Sequence, residues 1–330
     1  MYPLRFKPIF QRYLWGGFRL RDVLGKDTGT ESAAESWELV DHKDAQSEIL
    51  HGPLAGQTLR QIIASDAAAI FGDKLAQSLA AESIPEPLRN RFPLLLKFLD
   101  ASRDLSIQVH PDDAMGATLA PPDLGKTEAW YVMDAQPGAK IYAGLKDGVD
   151  EATFREAAAA GKTPDMMHSF EPTAGDCVFI EAGTLHAIGA GLLIAEIQQA
   201  SNTTFRIDDW GRVDADGKPR DLHLEQGIAA TDFSRGPVSI CQPTLAGGCE
   251  TLIACDKFTL RRHRSNDSVS VGGDGRFRII TPTRGSIRIE NDPSPDELSK
   301  AQTALLPAAL EATVLHPTAD DTEFLEMLVE

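Results

Sequence analysis

The chain is 330 residues long with a formal net charge of -17 and a pI near 4.9, a length that allows one or two domains. That charge excludes nucleic acid and anionic membrane surfaces as partners, so any anionic ligand must meet a local cluster of cations. The N-terminus lacks the apolar stretch of a signal peptide, no segment approaches the roughly 20 apolar residues that span a bilayer, and Cys177, Cys241, Cys249 and Cys255 form neither a C-x-x-C pair nor a disulfide scaffold, so a reduced cytoplasmic protein is expected.

The first 50 residues carry short apolar runs broken by Gly and charged residues, as in Tyr13-Leu14-Trp15-Gly16-Gly17 and Trp37-Glu38-Leu39-Val40, which suit strand and turn. From Thr58 to Leu79 the apolar residues recur at helical spacing (Leu59, Ile62, Ile63, Ile70, Leu75), and Thr58 with Gln61 reads as a capping box. This helical insert, about 54–91, closes at Pro85 and Pro87. A β-rich stretch follows to about Ile207, interrupted by a helix over 151–160 with Asp150 as N-cap and Gly161 as stop. Beyond Ser234, Phe277-Arg278-Ile279-Ile280, Ser286-Ile287-Arg288-Ile289 and Phe324 to Val329 read as strands of a smaller second β domain. The expected organisation is a catalytic β domain over 1–234, including the insert, and a C-terminal β domain over 235–330. Short strands with Gly and Pro turns imply a sandwich or barrel.

Leu105-Ser106-Ile107-Gln108-Val109-His110 alternates strictly, with Ser106, Gln108 and His110 on one face. Two metal-capable side chains at i and i+2 stand about 6 to 7 Å apart along a strand, close enough to converge on one ion. Glu128 opens a strand after the Gly125 turn, and Ala182-Gly183 makes a tight turn that presents His186. Two His, one Glu and an amide oxygen make a nitrogen and oxygen site suited to Zn²⁺. Singly, each has a plainer reading: a satisfied core His, strand decoration, a solvated strand end.

The run Gly175-Asp176-Cys177-Val178-Phe179-Ile180-Glu181-Ala182-Gly183-Thr184-Leu185-His186 resembles the second cupin motif, with Glu181 in place of the usual Pro. Together with Gly125-Lys126-Thr127-Glu128-Ala129-Trp130-Tyr131, the Gln108/His110 strand, and Glu196-Ile197-Gln198-Gln199-Ala200-Ser201-Asn202-Thr203-Thr204-Phe205-Arg206, it resembles the type I phosphomannose isomerases, closest to their short bacterial form. Trp15-Gly16-Gly17 and Glu35-Ser36-Trp37 match the start of that form. The resemblance covers most of residues 5–235 and is loose in the C-terminal third. It implies a mainly β fold, a cupin-type jelly-roll barrel with a helical insert and a second smaller cupin-like β domain. It further implies one zinc ion on Gln108, His110, Glu128 and His186, a catalytic Arg206, phosphate recognition by Ser106 and Lys97, and interconversion of mannose 6-phosphate and fructose 6-phosphate.

Moving a proton between C1 and C2 through an enediol needs a base, charge stabilisation at two oxygens and a water-poor pocket. Glu196 is the leading candidate base and Lys126 the second. Arg206, whose guanidinium keeps its charge, suits stabilisation of the enediolate; its plainer reading is an ion pair with Asp208 or Asp209. Lys97 inside Leu94-Leu95-Leu96-Lys97-Phe98-Leu99 must find a partner or a ligand anion. Trp15 and Trp130 are core by default. Two other classes share such a scaffold: an iron-dependent cupin dioxygenase, separable by metal analysis, and a non-catalytic sugar-binding cupin, which would bind without turnover. The expected partner is a small sugar phosphate, with the chain a monomer or weak homodimer.

Overall fold

The computed structural model describes residues 1–43, 45–213 and 217–330, and among these no helix is long and apolar enough to cross a membrane. The chain folds mainly into antiparallel β-sheets of the cupin type and divides into two compact units, one built from 10–36 and 97–241, the other from 1–9, 37–96 and 242–330.

In the first unit, one five-stranded sheet contains, in spatial order, Met167–Phe170, Ile141–Leu145, His186–Ile188, Ile107–Val109 and Phe205–Asp208. The other sheet is led by Cys177–Ile180, Glu128–Ala135 and Leu192–Gln199. Both faces of the Leu192 strand are apolar except at Glu196, Gln198 and Gln199, and all eight of its residues are buried. The inner faces of the two sheets share one apolar cluster, including Trp130, Val132, Ile141, Ala143, Ile180, Ile188 and Ile194. A second cluster lies around Ile107, Val109, Phe154, Leu185, Ala187 and Ile228. It covers the opposite face of the five-stranded sheet, where the helices Glu151–Ala159 and Leu224–Ala230 supply Phe154 and Ile228. The Asp150 side chain accepts from the Thr153 amide, the cap that the sequence predicts.

The second unit pairs a seven-stranded sheet with a four-stranded one over a core of Val271, Ile280, Ile287, Leu298, Leu306, Leu315 and Phe324. The expected capping box is present: Thr58 Oγ1 accepts from the Gln61 amide and Gln61 Oε1 from the Thr58 amide, opening the helix Leu59–Ser65. The helical segment packs within this unit, together with the C-terminal strands. Phe71, Phe92 and Phe277 pack in succession as tilted rings at centroid separations of 5.9 and 4.9 Å, and the amides of Ala308 and Ala309 donate to the carbonyls of Ile70 and Ala69. At Gly72, φ is +82° and a Cβ would come within 2.0 Å of the Gly275 carbonyl oxygen, so only glycine allows that approach. The compact units are thus interleaved along the chain, where the sequence suggests a single cut after 234; the reason is this aromatic docking of residues far apart in sequence. The chain leaves the first unit at Cys241.

Glu326 is buried in the second unit, accepting from Arg278 Nε at 2.7 Å and lying 2.8 Å from His263 Nε2. Burial alone would raise its carboxyl, but His263, Arg278 and Arg261 outweigh burial and hold it below its ordinary value of 4.5. Because the folded-state value lies below the unfolded one, its stabilisation is complete above about pH 4.5 and drains away as pH falls further. Glu326→Gln should therefore lose less Tm than the parent chain when both are acidified below that point; parallel Tm curves in calorimetry would contradict the assignment.

Candidate metal centre and catalytic cavity

Cross-strand register assembles the site. On the five-stranded sheet His186 pairs with both Gln108 and Ala143, and Gln108 pairs with Arg206, so one row of side chains shares a face. On the other sheet Glu128 pairs with Gln198, and Trp130 with Glu196, so all of these point the same way. Alternation then brings His110 to the face of Gln108. The ligand atoms of His110, Glu128 and His186 all lie within 4.8 Å of one another, and the three side chains are buried.

Each imidazole is fixed by a backbone carbonyl. His110 Nδ1 lies 2.9 Å from the Thr203 oxygen and His186 Nδ1 2.8 Å from the Thr184 oxygen. A carbonyl can only accept, so Nδ1 carries the proton in both rings and each Nε2 lone pair faces the cluster. Glu128 Oε2 is 3.6 Å from His110 Nε2, and Oε1 is 3.5 Å from His186 Nε2. The Trp130 indole donates to Glu128 Oε1 at 3.1 Å and orients the carboxylate. Gln108 Nε2 lies 3.3 Å from His186 Nε2, while its Oε1 accepts from Ser106 Oγ at 3.2 Å; turning the amide over would offer the oxygen to the same point.

This donor set fits a divalent cation. Two Nε2 lone pairs and a carboxylate converge, and the buried Glu128 Oε2 accepts no well-aligned hydrogen bond even though the Lys126 ammonium is 2.7 Å away. Lys126 also sits 3.0 Å from His110 Nε2, so a cationic group already rests on the same lone pairs. Burial, followed by the positive charge of Lys126, pushes His110 well below its usual value, and burial chiefly takes His186 to about 4; both rings are neutral ligands at neutral pH. Burial and then the charge of Glu196 raise Glu128 to about 7. An added cation would relieve that strain.

Glu196 is buried beside the cluster. Burial works to raise its carboxyl, yet the ammonium groups of Lys97 at 3.0 Å and Lys126 at 3.6 Å outweigh burial and hold it below its ordinary range. Lys97, expected to find a partner or a ligand anion, meets carboxylates: Glu196, and Glu35 at 3.4 Å. Despite its burial, those carboxylates keep its ammonium protonated. Arg206 forms no ion pair with Asp209, which is held by Arg212 and Arg220. Its Nη1 donates to the Asp221 carbonyl at 2.9 Å and its buried Nε has no partner. A cavity of about 300 Å³ is lined by Glu35, Lys97, Ser106, Lys126, Glu196 and Arg206, with Gln108, Glu128 and Arg220 also at its wall.

Sequence reasoning missed Glu35 and Arg220 as site residues. Glu35 stood in a quoted motif without a role, and a pairing with Lys97 across 62 positions leaves no local signal. Arg220 lies in a polar loop, and nothing in that loop distinguishes it. Trp15 and Trp130 are both buried in the core; Trp15 also reaches the cavity wall, and Trp130 adds the indole donor.

Residues 4–137 match the family profile described as "Phosphomannose isomerase type I, catalytic domain". A probable mannose-6-phosphate isomerase of Bacillus subtilis is 32% identical over 310 residues, covering 93% of this chain and 94% of the relative. The mannose-6-phosphate isomerase of Streptococcus mutans is 32% identical over 313 residues, covering 94% of each chain. Among solved structures, a mannose 6-phosphate isomerase from Bacillus subtilis superposes with a TM-score of 0.84 at 27% identity, covering 99% of each chain. Phosphomannose isomerase variants from Salmonella typhimurium, at 16% identity and a TM-score of up to 0.78, share the fold.

Trp130→Phe keeps an aromatic ring but removes the donor to Glu128, and should weaken divalent-cation binding by about 10- to 100-fold in competition with a chelating dye. Unchanged affinity would show that the indole does not orient the carboxylate.

Proposed function

The chain belongs to the type I phosphomannose isomerases, and from that premise we propose that it interconverts mannose 6-phosphate and fructose 6-phosphate through an enediol, with one zinc ion held by Gln108, His110, Glu128 and His186. The observation that carries this reading is the convergence of two neutral imidazoles and a carboxylate beside a cavity that also contains a buried carboxylate, two ammonium groups and Arg206. When bound, zinc supplies Lewis acidity that polarises the sugar carbonyl and anchors substrate oxygens.

The chain's own groups divide the remaining work. Glu196, ionised because Lys97 and Lys126 hold its proton affinity down, removes the proton from C2 of the aldose and returns it at C1. Those ammonium groups make it a weaker base but keep it wholly in the required form, and its fixed position offsets part of the lost basicity. Lys126, in contact with both Glu128 and Glu196, is suited to pass a proton between the substrate oxygens. Arg206 has an unpartnered buried N–H with which to meet the developing enediolate charge.

For the phosphate, Ser106 and Arg220 are the better-placed donors, because Lys97 is already neutralised by two carboxylates. The Asp104–Ser106 segment is tied to the Asp209–Arg212 loop by Arg212 bonding to the Asp104 carbonyl and by the Trp210 indole donating to the Leu105 carbonyl at 2.7 Å. Asp209 holds Arg220 to that same loop.

A coupled assay with fructose 6-phosphate tests the reading. Chelation should abolish turnover and zinc should restore it, whereas Arg206→Ala should lower kcat by about 10²-fold or more with zinc content unchanged. Activity that ignores the chelator would remove the metal from the mechanism, and full activity of the arginine variant would refute its role.

A further inference from the structure

The second unit holds a cavity of about 750 Å³, within the range of small-molecule sites. Its wall is set by register. Thr251 pairs with Arg261, Arg261 with Glu326, and Glu326 with Ile280, so these four side chains share one face of the seven-stranded sheet. Alternation adds Cys249, His263, Phe324 and Arg278 to that face. Ile280 and Phe324 belong to the apolar core between the sheets, which identifies this face as the inner one. One end of the interior is therefore filled with hydrocarbon, and the other carries guanidinium, imidazole and hydroxyl groups.

Most of the charges here are mutually satisfied. Arg278 donates to Glu326 and, at 2.6 Å, to Asp274, while Arg264 donates to Glu323 at 2.8 Å. Arg261 differs: its nearest carboxylate oxygens, on Glu326 and Glu330, are 3.8 and 3.9 Å away, and among the described residues no hydrogen bond engages its N–H groups. Thr251 lies on the same inner face and lines the same space.

We propose that this cavity is a ligand site for a small phosphomonoester, with Arg261 as its anchor. A guanidinium fork grips two phosphate oxygens, and the Thr251 hydroxyl on the same face supplies a donor to a third, a demand that a carboxylate would not make. The volume leaves room for an organic portion beyond the phosphate. The site is independent of the catalytic cavity and does not rest on the proposed isomerase reaction.

Cys249 lines the cavity and reports on it. The full chain is alkylated with iodoacetamide, with the rate at each cysteine read by peptide mass mapping, in inorganic phosphate, in glycerol 2-phosphate, or in chloride at matched ionic strength. At a ligand concentration about ten times Kd, alkylation of Cys249 should slow by about tenfold, while Cys255 serves as the unprotected reference. Protection by either phosphate compound supports the site, and the stronger arm identifies free phosphate or ester as its ligand. Arg261→Gln should abolish the protection and leave isomerase turnover intact. Should that variant lose its fold, which reaction at the buried Cys177 would reveal, Arg261→Lys replaces it and should show weaker protection. No slowing at Cys249 in the parent chain, or equal slowing in the arginine variants, would overturn the proposal.

Discussion

Everything at the catalytic cavity depends on a set of buried charges that only tolerate burial together. Lys97, Lys126, Glu128 and Glu196 are each almost fully shielded from solvent, and for each of the two carboxylates burial is the largest influence on proton affinity, acting against the charged form. What offsets it is mutual: Lys126 lies against Glu128, and Lys97 against Glu196 and Glu35. Removing one member leaves another buried and uncompensated, at a cost of about 3 to 5 kcal/mol. A truncation at Lys97 or Lys126 thus perturbs folding as well as chemistry, whereas Arg206, at the edge of the charged set and bonded to a backbone carbonyl, can be changed with less structural consequence.

The same cluster explains why the two glutamates differ. Both are buried and close to the same ammonium groups, yet Glu128 rises to about 7 while Glu196 stays below its ordinary range. Lys97 contacts Glu196 directly, whereas Glu128 has burial and then the charge of Glu196 acting against its ionised form. Lys126 serves both. The asymmetry separates a carboxylate that benefits from an added cation from one that is already balanced, in keeping with the proposed roles of Glu128 and Glu196.

Local periodicity made much of this legible. The alternation from Leu105 to His110 put Gln108 and His110 on one face, the Thr58–Gln61 pair marked a helix start, and Asp150 marked another. Gly183, at φ +87°, makes the turn before His186 that the sequence suggested. These signals span a few residues, where backbone preference and side-chain spacing act directly. The features that escaped notice depend on distance along the chain. Glu35 finds Lys97 only because the strands carrying them join one sheet, and Asp209 gathers Arg212 and Arg220 through loop geometry. The helical segment's place beside the C-terminal strands depends on Phe71, Phe92 and Phe277, three aromatics that look like ordinary core residues one at a time.

Each unit encloses polar groups between two antiparallel sheets, and in each the inward positions follow from the same two-residue repeat. The contents differ in a chemically decisive way. The catalytic cavity presents neutral imidazole lone pairs and a carboxylate whose burial is poorly offset, a surface that attracts a cation. The second cavity presents an arginine whose carboxylate neighbours lie 3.8 and 3.9 Å away, beside a carboxylate already held by His263 and Arg278, which is the arrangement the proposed anion site rests on. A β-sheet interior fixes where side chains point and leaves their polarity unconstrained. The ligand preference of such an interior is therefore decided by which inward charges remain unbalanced after the protein has paired all the others.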